Sequence, residues 1–263
     1  VSAQRPVLTY LLWAPLGRDR TEAFAAAYRE HAAGIDHELV VAASGHGPGA
    51  PLEPLLESFA QIEHTLELFE GPRTDLMTYR ELVDRRPQGE EFVFVNSYAR
   101  PLGPGWLRIL VDALREPGVG IAGVGGSFET PAATKPPLVR LAYLPLFPRF
   151  PDPHIRTAVF ALTRSSIELL RWPRRITSKR PSYLLEGGRR SITRQLQAHG
   201  LRPVIAGRDG RLYDIPDWPA SATFRSGDQE NLLVADLRSD DYAAADAEQR
   251  AQLGRYAWGA SSR

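Results

Sequence analysis

Glu186 stands just ahead of Gly187-Gly188 and of three arginines, Arg189, Arg190 and Arg194. Guanidinium forks match phosphate oxygens, so this run could neutralise a phosphorylated ligand. Arg190 and Arg194 are spaced i, i+4 and would share a helix face. The plainer reading is a solvated basic face, with Glu186 a carboxylate that favours the helix N-terminus. His154 lies in Pro-Asp-Pro-His-Ile-Arg, a loop-like setting. A histidine there can ligate a metal, donate to phosphate or serve as base, and a purely structural hydrogen bond is an equal alternative. Asp152 is close enough in sequence to orient it, and Arg156 could pair with Asp152 or with a ligand. The run Ser44-Gly-His-Gly-Pro-Gly49 has the backbone freedom to cradle phosphate, yet it matches neither a P-loop nor a dinucleotide fingerprint, and His46 reads as a surface loop residue. Asp228-Gln229-Glu230, after Phe224-Arg225-Ser-Gly, reads as the first turn of an exposed helix that could also reach the site. Neither Gly-Xaa-Ser-Xaa-Gly nor His-Glu-Xaa-Xaa-His occurs, so serine-hydrolase and zincin readings have no support.

These residues need a scaffold, and 263 residues suffice for one large α/β domain. With 32 Lys+Arg against 31 Asp+Glu, the chain has no global drive toward nucleic acid or anionic membrane. There is no cysteine, which excludes disulfides, zinc-thiolate sites and cysteine nucleophiles. No signal peptide is visible in Val1 to Tyr10, and no apolar run approaches the ~20 residues of a membrane helix. The expected location is therefore cytoplasmic.

Continuous apolar runs at Val7 to Trp13, Glu38 to Ala43 and Glu91 to Val95 suit strands covered on both faces. Thr65 to Phe69 and Val119 to Gly123 read as further strands. Helices are predicted from Asp19, with Glu22 at capping-box spacing, to a stop at Gly34; from Asp75 to Arg86; and around Trp106, Leu110 and Leu114. Strands alternating with helices argue for a mostly parallel sheet, with ligands beyond the strands' C-terminal ends. That edge holds Pro15, Ser44, Asp75 and Asn96-Ser97-Tyr98. Pro131 to Pro153 reads as a long irregular stretch, Thr157 to Leu162 as a strand, Ser165 to Leu170 as a helix, Glu186 to His199 as one helix, and Arg202 to Ala206 as a short strand. The last fifth reads as a wrapping arm with a frayed end.

The strand Glu91 to Val95, then Asn96-Ser97-Tyr98, Gly105-Trp106-Leu107 and Gly118-Val-Gly120, resembles the central segment of family 2-type glycosyltransferases. Trp13-Ala-Pro15, Tyr28, Ala33-Gly34 and His37 to Val41 are similar to the start of bacterial members tied to surface polysaccharides. Pro153 to Thr157 and Glu186 to Arg194 look like segments of the same subgroup. The resemblance implies a GT-A-type, Rossmann-like α/β fold as a single domain over 1–263. Residues 1–125 would be its nucleotide-binding half, 126–225 its acceptor-side half and 226–263 a C-terminal arm. It implies a nucleoside diphosphate sugar as donor and a glycan or lipid-linked acceptor, and Leu141 to Phe150 could then touch the inner face of the membrane or equally be a packed loop covering the sheet. Pro15, Ser44, Asp75, Asn96, Ser97, Tyr98, Arg156, Arg189, Arg190 and Arg194 become nucleotide-sugar contacts, with Asp75 accepting from a base edge or simply capping its helix. Glu186 becomes the preferred base and His154 the second candidate. The family's Asp-X-Asp motif holds Mn or Mg, whereas here the positions read Asn96, Ser97, Tyr98. A divalent cation prefers anionic oxygen, so these residues argue against ordinary metal binding. Either arginines replace the metal, or the domain binds nucleotide, glycan or a partner enzyme without catalysis.

Overall fold

The computed structural model describes residues 4–133, 136–173 and 179–259. Its first part runs β1 (Val7–Trp13), α1 (Arg18–Glu30), β2 (Glu38–Ser44), α2 (Glu53–Leu56), β3 (Thr65–Phe69), α3 (Asp75–Arg85), β4 (Glu91–Val95), β5 (Arg100–Pro101), α4 (Trp106–Arg115) and β6 (Val119–Gly123). Its second part runs β7 (Gly126–Ser127), α5 (Pro137–Tyr143), β8 (His154–Ile155), β9 (Val159–Thr163), α6 (Arg164–Glu168), α7 (Lys179–Gly187), α8 (Ile192–Ala198), β10 (Arg202–Ala206), β11 (Leu212–Tyr213), β12 (Val234–Ala235), α9 (Leu237–Ala244) and α10 (Ala247–Trp258).

One eight-stranded sheet organises the molecule, in the order β11-β10-β6-β9-β4-β1-β2-β3. β1 pairs in parallel with β2 and β4, β2 with β3, and β6 with β10. β9 runs antiparallel between β4 and β6, and β11 antiparallel to β10. Leu8, Tyr10 and Leu12 of β1 enter one hydrophobic cluster, while Val7 and Leu11 enter the other. Helices cover both faces, which is why β1 and β4 read as unbroken apolar runs. Each buried Leu, Val or Phe contributes roughly 1.5–3 kcal/mol.

Two segments far apart in sequence meet above α4. Gly105 N donates to Ala32 O at 2.7 Å, and Arg108 N to Ala33 O at 3.0 Å. A Cβ on Gly34 would lie 2.8 Å from Gly105 Cα, and Gly34 has φ +83°. Only glycine combines that backbone angle with that approach.

Several local expectations are corrected. Helix α1 starts after Gly17, without a side-chain cap, and Glu22 takes a 2.6 Å bond from Arg18 Nε instead of closing a capping box with Asp19. It ends at Glu30, ahead of Gly34. Asp75 is the first residue of α3, after Thr74 at the N-cap, so it is not itself the cap. The proline-rich stretch contains the helix α5, started by prolines whose missing N–H costs nothing in a first turn.

The predicted helix from Glu186 to His199 is two helices. A Cβ on Gly188 would meet Leu184 O at 2.4 Å, and Gly188 N bonds that same oxygen where α7 stops. Ser191 then caps α8 by accepting from Arg194 N at 3.3 Å. Arg190 lies in the intervening turn, so it shares no helix face with Arg194.

The C-terminal segment, expected as a wrapping arm, is largely helical. Capping boxes at Asp236/Ser239 and Asp246/Gln249 start α9 and α10. Trp258 is buried and donates to Phe224 O at 2.9 Å. The last four residues of the expected frayed end lie outside the described residues. Asp228-Gln229-Glu230 is a turn rather than a helix start. Gln229 is buried, accepts from Arg225 N at 3.1 Å and donates to Ser239 O at 2.9 Å.

Candidate functional site

The strand order reverses at β1, with β2 and β3 on one side and β4 on the other. A sheet opens a crevice at such a point, beyond the C-terminal ends of its strands. The strand order therefore places the crevice between Trp13–Pro15 and Asn96–Tyr98. Ser97 is buried in it, donating to Leu11 O at 2.7 Å and accepting from Trp13 N at 3.2 Å. Ser97 thus ties β1 to β4 and spends its hydroxyl on backbone. Asn96 Oδ1 accepts from Tyr98 N at 3.0 Å. The Tyr98 ring lies 5.2 Å from the Arg20 guanidinium, and Arg20 forms no salt bridge among the described residues. Trp13, 44% exposed, presents an indole at the rim that sequence reasoning passed over as the end of a strand.

Pro15 and Asp75 are exposed on this edge, and Ser44 is buried at the end of β2. The loop after Ser44 closes on itself through Gly47 and Ala50, which exchange bonds of 3.2 and 2.9 Å. Those N–H groups are already used and do not form an open phosphate cradle. Among the described residues no three His, Cys, Asp or Glu side chains converge on a metal position. Asn96 and Ser97 offer neutral oxygens already engaged in the fold and Tyr98 a neutral phenol, so they do not fit a divalent cation bound to a diphosphate.

Beside the crevice is a cleft of about 380 Å³. It gathers His154 from β8, Arg156 beyond it, and Tyr183, Glu186 and Gly187 from α7. Glu129 and Pro131, Phe224 and Arg225, Arg238 of α9 and Tyr256 of α10 complete it. Glu186 Oε1 accepts from Thr157 N at 3.2 Å, and the next residue, Ala158, receives Asn96 N at 2.9 Å. The cleft and the end of β4 are therefore joined across two consecutive residues.

His154 is buried, and its Nδ1 lies 2.8 Å from Asp152 O. A carbonyl accepts only, so Nδ1 carries a proton, and the tautomer this selects has its acceptor at Nε2. Asp152 orients His154 through its backbone, not its carboxylate. That carboxylate, fully buried, takes Arg194 Nε and Nη2 at 2.9 and 2.8 Å on Oδ1, while Oδ2 has no partner. Burial raises the Asp152 pKa above its ordinary value, and the Arg194 bond opposes this without cancelling it.

Arg156 does not pair with Asp152. Its Nη1 donates to Asp236 at 2.7 Å, and its guanidinium stacks 3.9 Å from the Phe224 ring centre. Arg225 flanks the same ring at 5.0 Å, bonds Glu129, and keeps a buried Nε without a partner. Burial pushes its guanidinium below its ordinary pKa, with Glu129 acting the other way. Arg189, Arg190 and Arg194 do not converge on the cleft. Arg189 Nε is tied to Leu144 O at 2.8 Å, Arg190 is exposed in its turn, and Arg194 holds Asp152. Of the sequence candidates, His154, Arg156 and Glu186 are brought together. Glu129, Tyr183, Arg238 and Tyr256 were missed, since no local motif marks them.

No family model matches the chain, and no curated protein matches it. Among solved structures, it is similar to the mannosyltransferase PcManGT from Pyrobaculum calidifontis, solved with GDP-Man and Mn2+. The TM-score is 0.51 at 17% identity, over 84% of this chain and 61% of that one. Glucosyl-3-phosphoglycerate synthase from Mycobacterium tuberculosis, with Mn2+, UDP and glucosyl-3-phosphoglycerate, gives 0.43 at 15% identity, over 64% and 60%. A CMP:2-keto-3-deoxy-manno-octonic acid synthetase complexed with CTP gives 0.42 at 11% identity, over 81% and 94%. The chain spans about six tenths of the length of the first two. The fold is GT-A-type: a mostly parallel, Rossmann-like sheet between helices.

Proposed function

We propose that this chain transfers a sugar from a nucleoside diphosphate sugar to a hydroxyl of a glycan or lipid-linked acceptor, in bacterial surface polysaccharide synthesis. The observation that carries the reading is Glu186, a carboxylate on a cleft that adjoins the end of β4 at the strand-order reversal. The donor lies across the β1–β4 crevice, with Trp13 against its base and Arg20 near its diphosphate. The acceptor enters the cleft. Its hydroxyl oxygen attacks the anomeric carbon as Glu186 takes the proton, and the bond from that carbon to the diphosphate breaks. His154 Nε2 accepts a second hydroxyl and orients the ring that bears it. Proximity and orientation supply much of the rate in such a site. No step is assigned to a metal, because the residues at the end of β4 do not fit one. For the membrane contact, support comes from α5 and its flank, where Leu138, Val139, Leu141 and Phe150 are exposed. Among the described residues no helix is long and apolar enough to cross a membrane.

A thermal-shift screen of UDP-, GDP- and dTDP-sugars, with and without manganese, tests the donor site. Stabilisation without manganese is the expected result, and no shift with any of them would overturn the donor assignment. Glu186→Gln should lower transfer by about 10²–10⁴-fold and leave the donor-dependent shift in place. Unchanged transfer would remove Glu186 as base. Binding without turnover on any acceptor, in the wild type, would instead favour a non-catalytic domain.

A further inference from the structure

The charges around the cleft sort into pairs with two remainders. Arg156 is matched by Asp236 and Arg225 by Glu129. Arg238 and Glu186 both line the cleft, yet they form no salt bridge with each other or, among the described residues, with any other group. Arg238 is exposed and sits in the first turn of α9, where the helix dipole disfavours a cation. Asp236 at the N-cap and Asp240 in the same turn serve the helix end, but they are spent on Arg156 and Arg100 and leave Arg238 without a salt bridge among the described residues. Beside it, Arg225 is only 5% exposed and has a buried Nε with no acceptor. A guanidinium carries five N–H donors, and the one side-chain bond to Glu129 leaves most of them unused. A buried cation with spare donors, next to an unpaired one on the same cleft wall, is incomplete without an anion.

We propose that Arg238, with Arg225 behind it, seats a phosphate or carboxylate group carried by the sugar acceptor. The inference rests on the proposed transfer reaction for the word acceptor, but the anion site itself does not need it. The cleft then has two ends: an arginine that holds the acceptor's anionic group, and Glu186 that meets its hydroxyl. Sugar phosphates, phosphorylated polyols and uronic acids have both features. The donor diphosphate is the other source of the same chemistry, and the β1–β4 crevice is the place for it.

The test uses the full chain and its melting temperature in three series: glycerol 3-phosphate, glucuronate, and UDP or GDP. Wild type should be stabilised by at least one of the first two. Arg238→Gln should weaken that affinity about tenfold or more and leave UDP or GDP stabilisation unchanged. Arg80→Gln, which removes a half-buried arginine paired with Asp84 on α3, should change neither. Arg238→Lys keeps the charge and should retain part of the binding, which separates recognition from misfolding. If Arg238→Gln weakens UDP or GDP as much as glycerol 3-phosphate, the arginine serves the donor and the proposal is wrong. If neither glycerol 3-phosphate nor glucuronate shifts the wild type, it is wrong as well. A wild type that responds to no sugar nucleotide but still binds these anions through Arg238 would sink the transferase reading alone.

Discussion

The crevice between β1 and β4 is built by two neighbouring strands and closed by one hydroxyl, that of Ser97. The cleft beside it draws Glu129, His154, Glu186, Arg225, Arg238 and Tyr256 from separate parts of the chain. In the crevice the polar side chains hold backbone in place. In the cleft Glu129 and Arg225 hold each other, His154 and Glu186 each spend one atom on backbone, and some of their bonding capacity is left over. Positions fixed by adjacent strands serve to shape a surface, whereas positions assembled over long range carry the charges that can act. The largest change that tests this contrast in stability falls at the cleft. Gly188→Ala would press a Cβ against Leu184 O at 2.4 Å, which is backbone and cannot rotate away. It should cost about 1–3 kcal/mol, as overpacking does. For a chain of this size each kcal/mol lowers Tm by about 2–4 °C. Because the same turn sets the end of α7, transfer should fall beyond the loss of folded protein. Full transfer per folded molecule would detach Glu186 from its helix end as a functional unit.

Ser97→Ala has the smaller, opposite signature. It removes the bond to Leu11 O and leaves Trp13 N without its acceptor. The expected cost is about 1–2 kcal/mol of stability, read by urea unfolding. Transfer per folded molecule should stay near wild type, since the hydroxyl faces backbone. A large drop in turnover with little loss of stability would show that Ser97 touches ligand, and the contrast between crevice and cleft would fail there.

The same contrast explains what could be read in the sequence. β1, β2 and β4 were legible because each strand is one apolar run buried on both faces, and periodicity is a local property. Asn96-Ser97-Tyr98 was legible for the same reason, as the tail of β4. His154, Arg156 and Glu186 came from local oddity and a resemblance, and the structure brings them to one cleft. Glu129, Arg238 and Tyr256 had no such mark, because what joins them is the packing of α9 and α10 against the second part of the chain. The helix from Glu186 was drawn too long, although Gly188 before a capping serine is a visible break. The capping-box spacing of Asp246 and Gln249 was equally visible within a segment whose polar composition suggested only a wrapping arm. Composition there outvoted a specific signal.

The smallest expected effect concerns the floor of the cleft. The crevice residues 96–98 include no carboxylate, but Asp152 lies fully buried beneath His154, with one oxygen held by Arg194 and the other unpartnered. Burial raises its pKa in the folded state above the unfolded 3.8, despite the arginine. A carboxyl with a raised folded pKa binds more protons folded than unfolded in the window between the two values. Its contribution to stability is then fully present below the unfolded pKa and is lost as pH rises through the folded one. Replacing it by Asp152→Asn removes that titration. The stability of wild type minus that of Asp152→Asn should therefore decline as pH is raised from about 3.8 upward, and then level off. The Ser97→Ala difference should stay flat over the same range, because a hydroxyl does not titrate there. Urea unfolding of the three proteins along one pH series reads both differences, and titrations common to all three cancel. A difference for Asp152→Asn that rises with pH would mean that Arg194 outweighs burial. Asp152 would then act as an ordinary stabilising ion pair with Arg194.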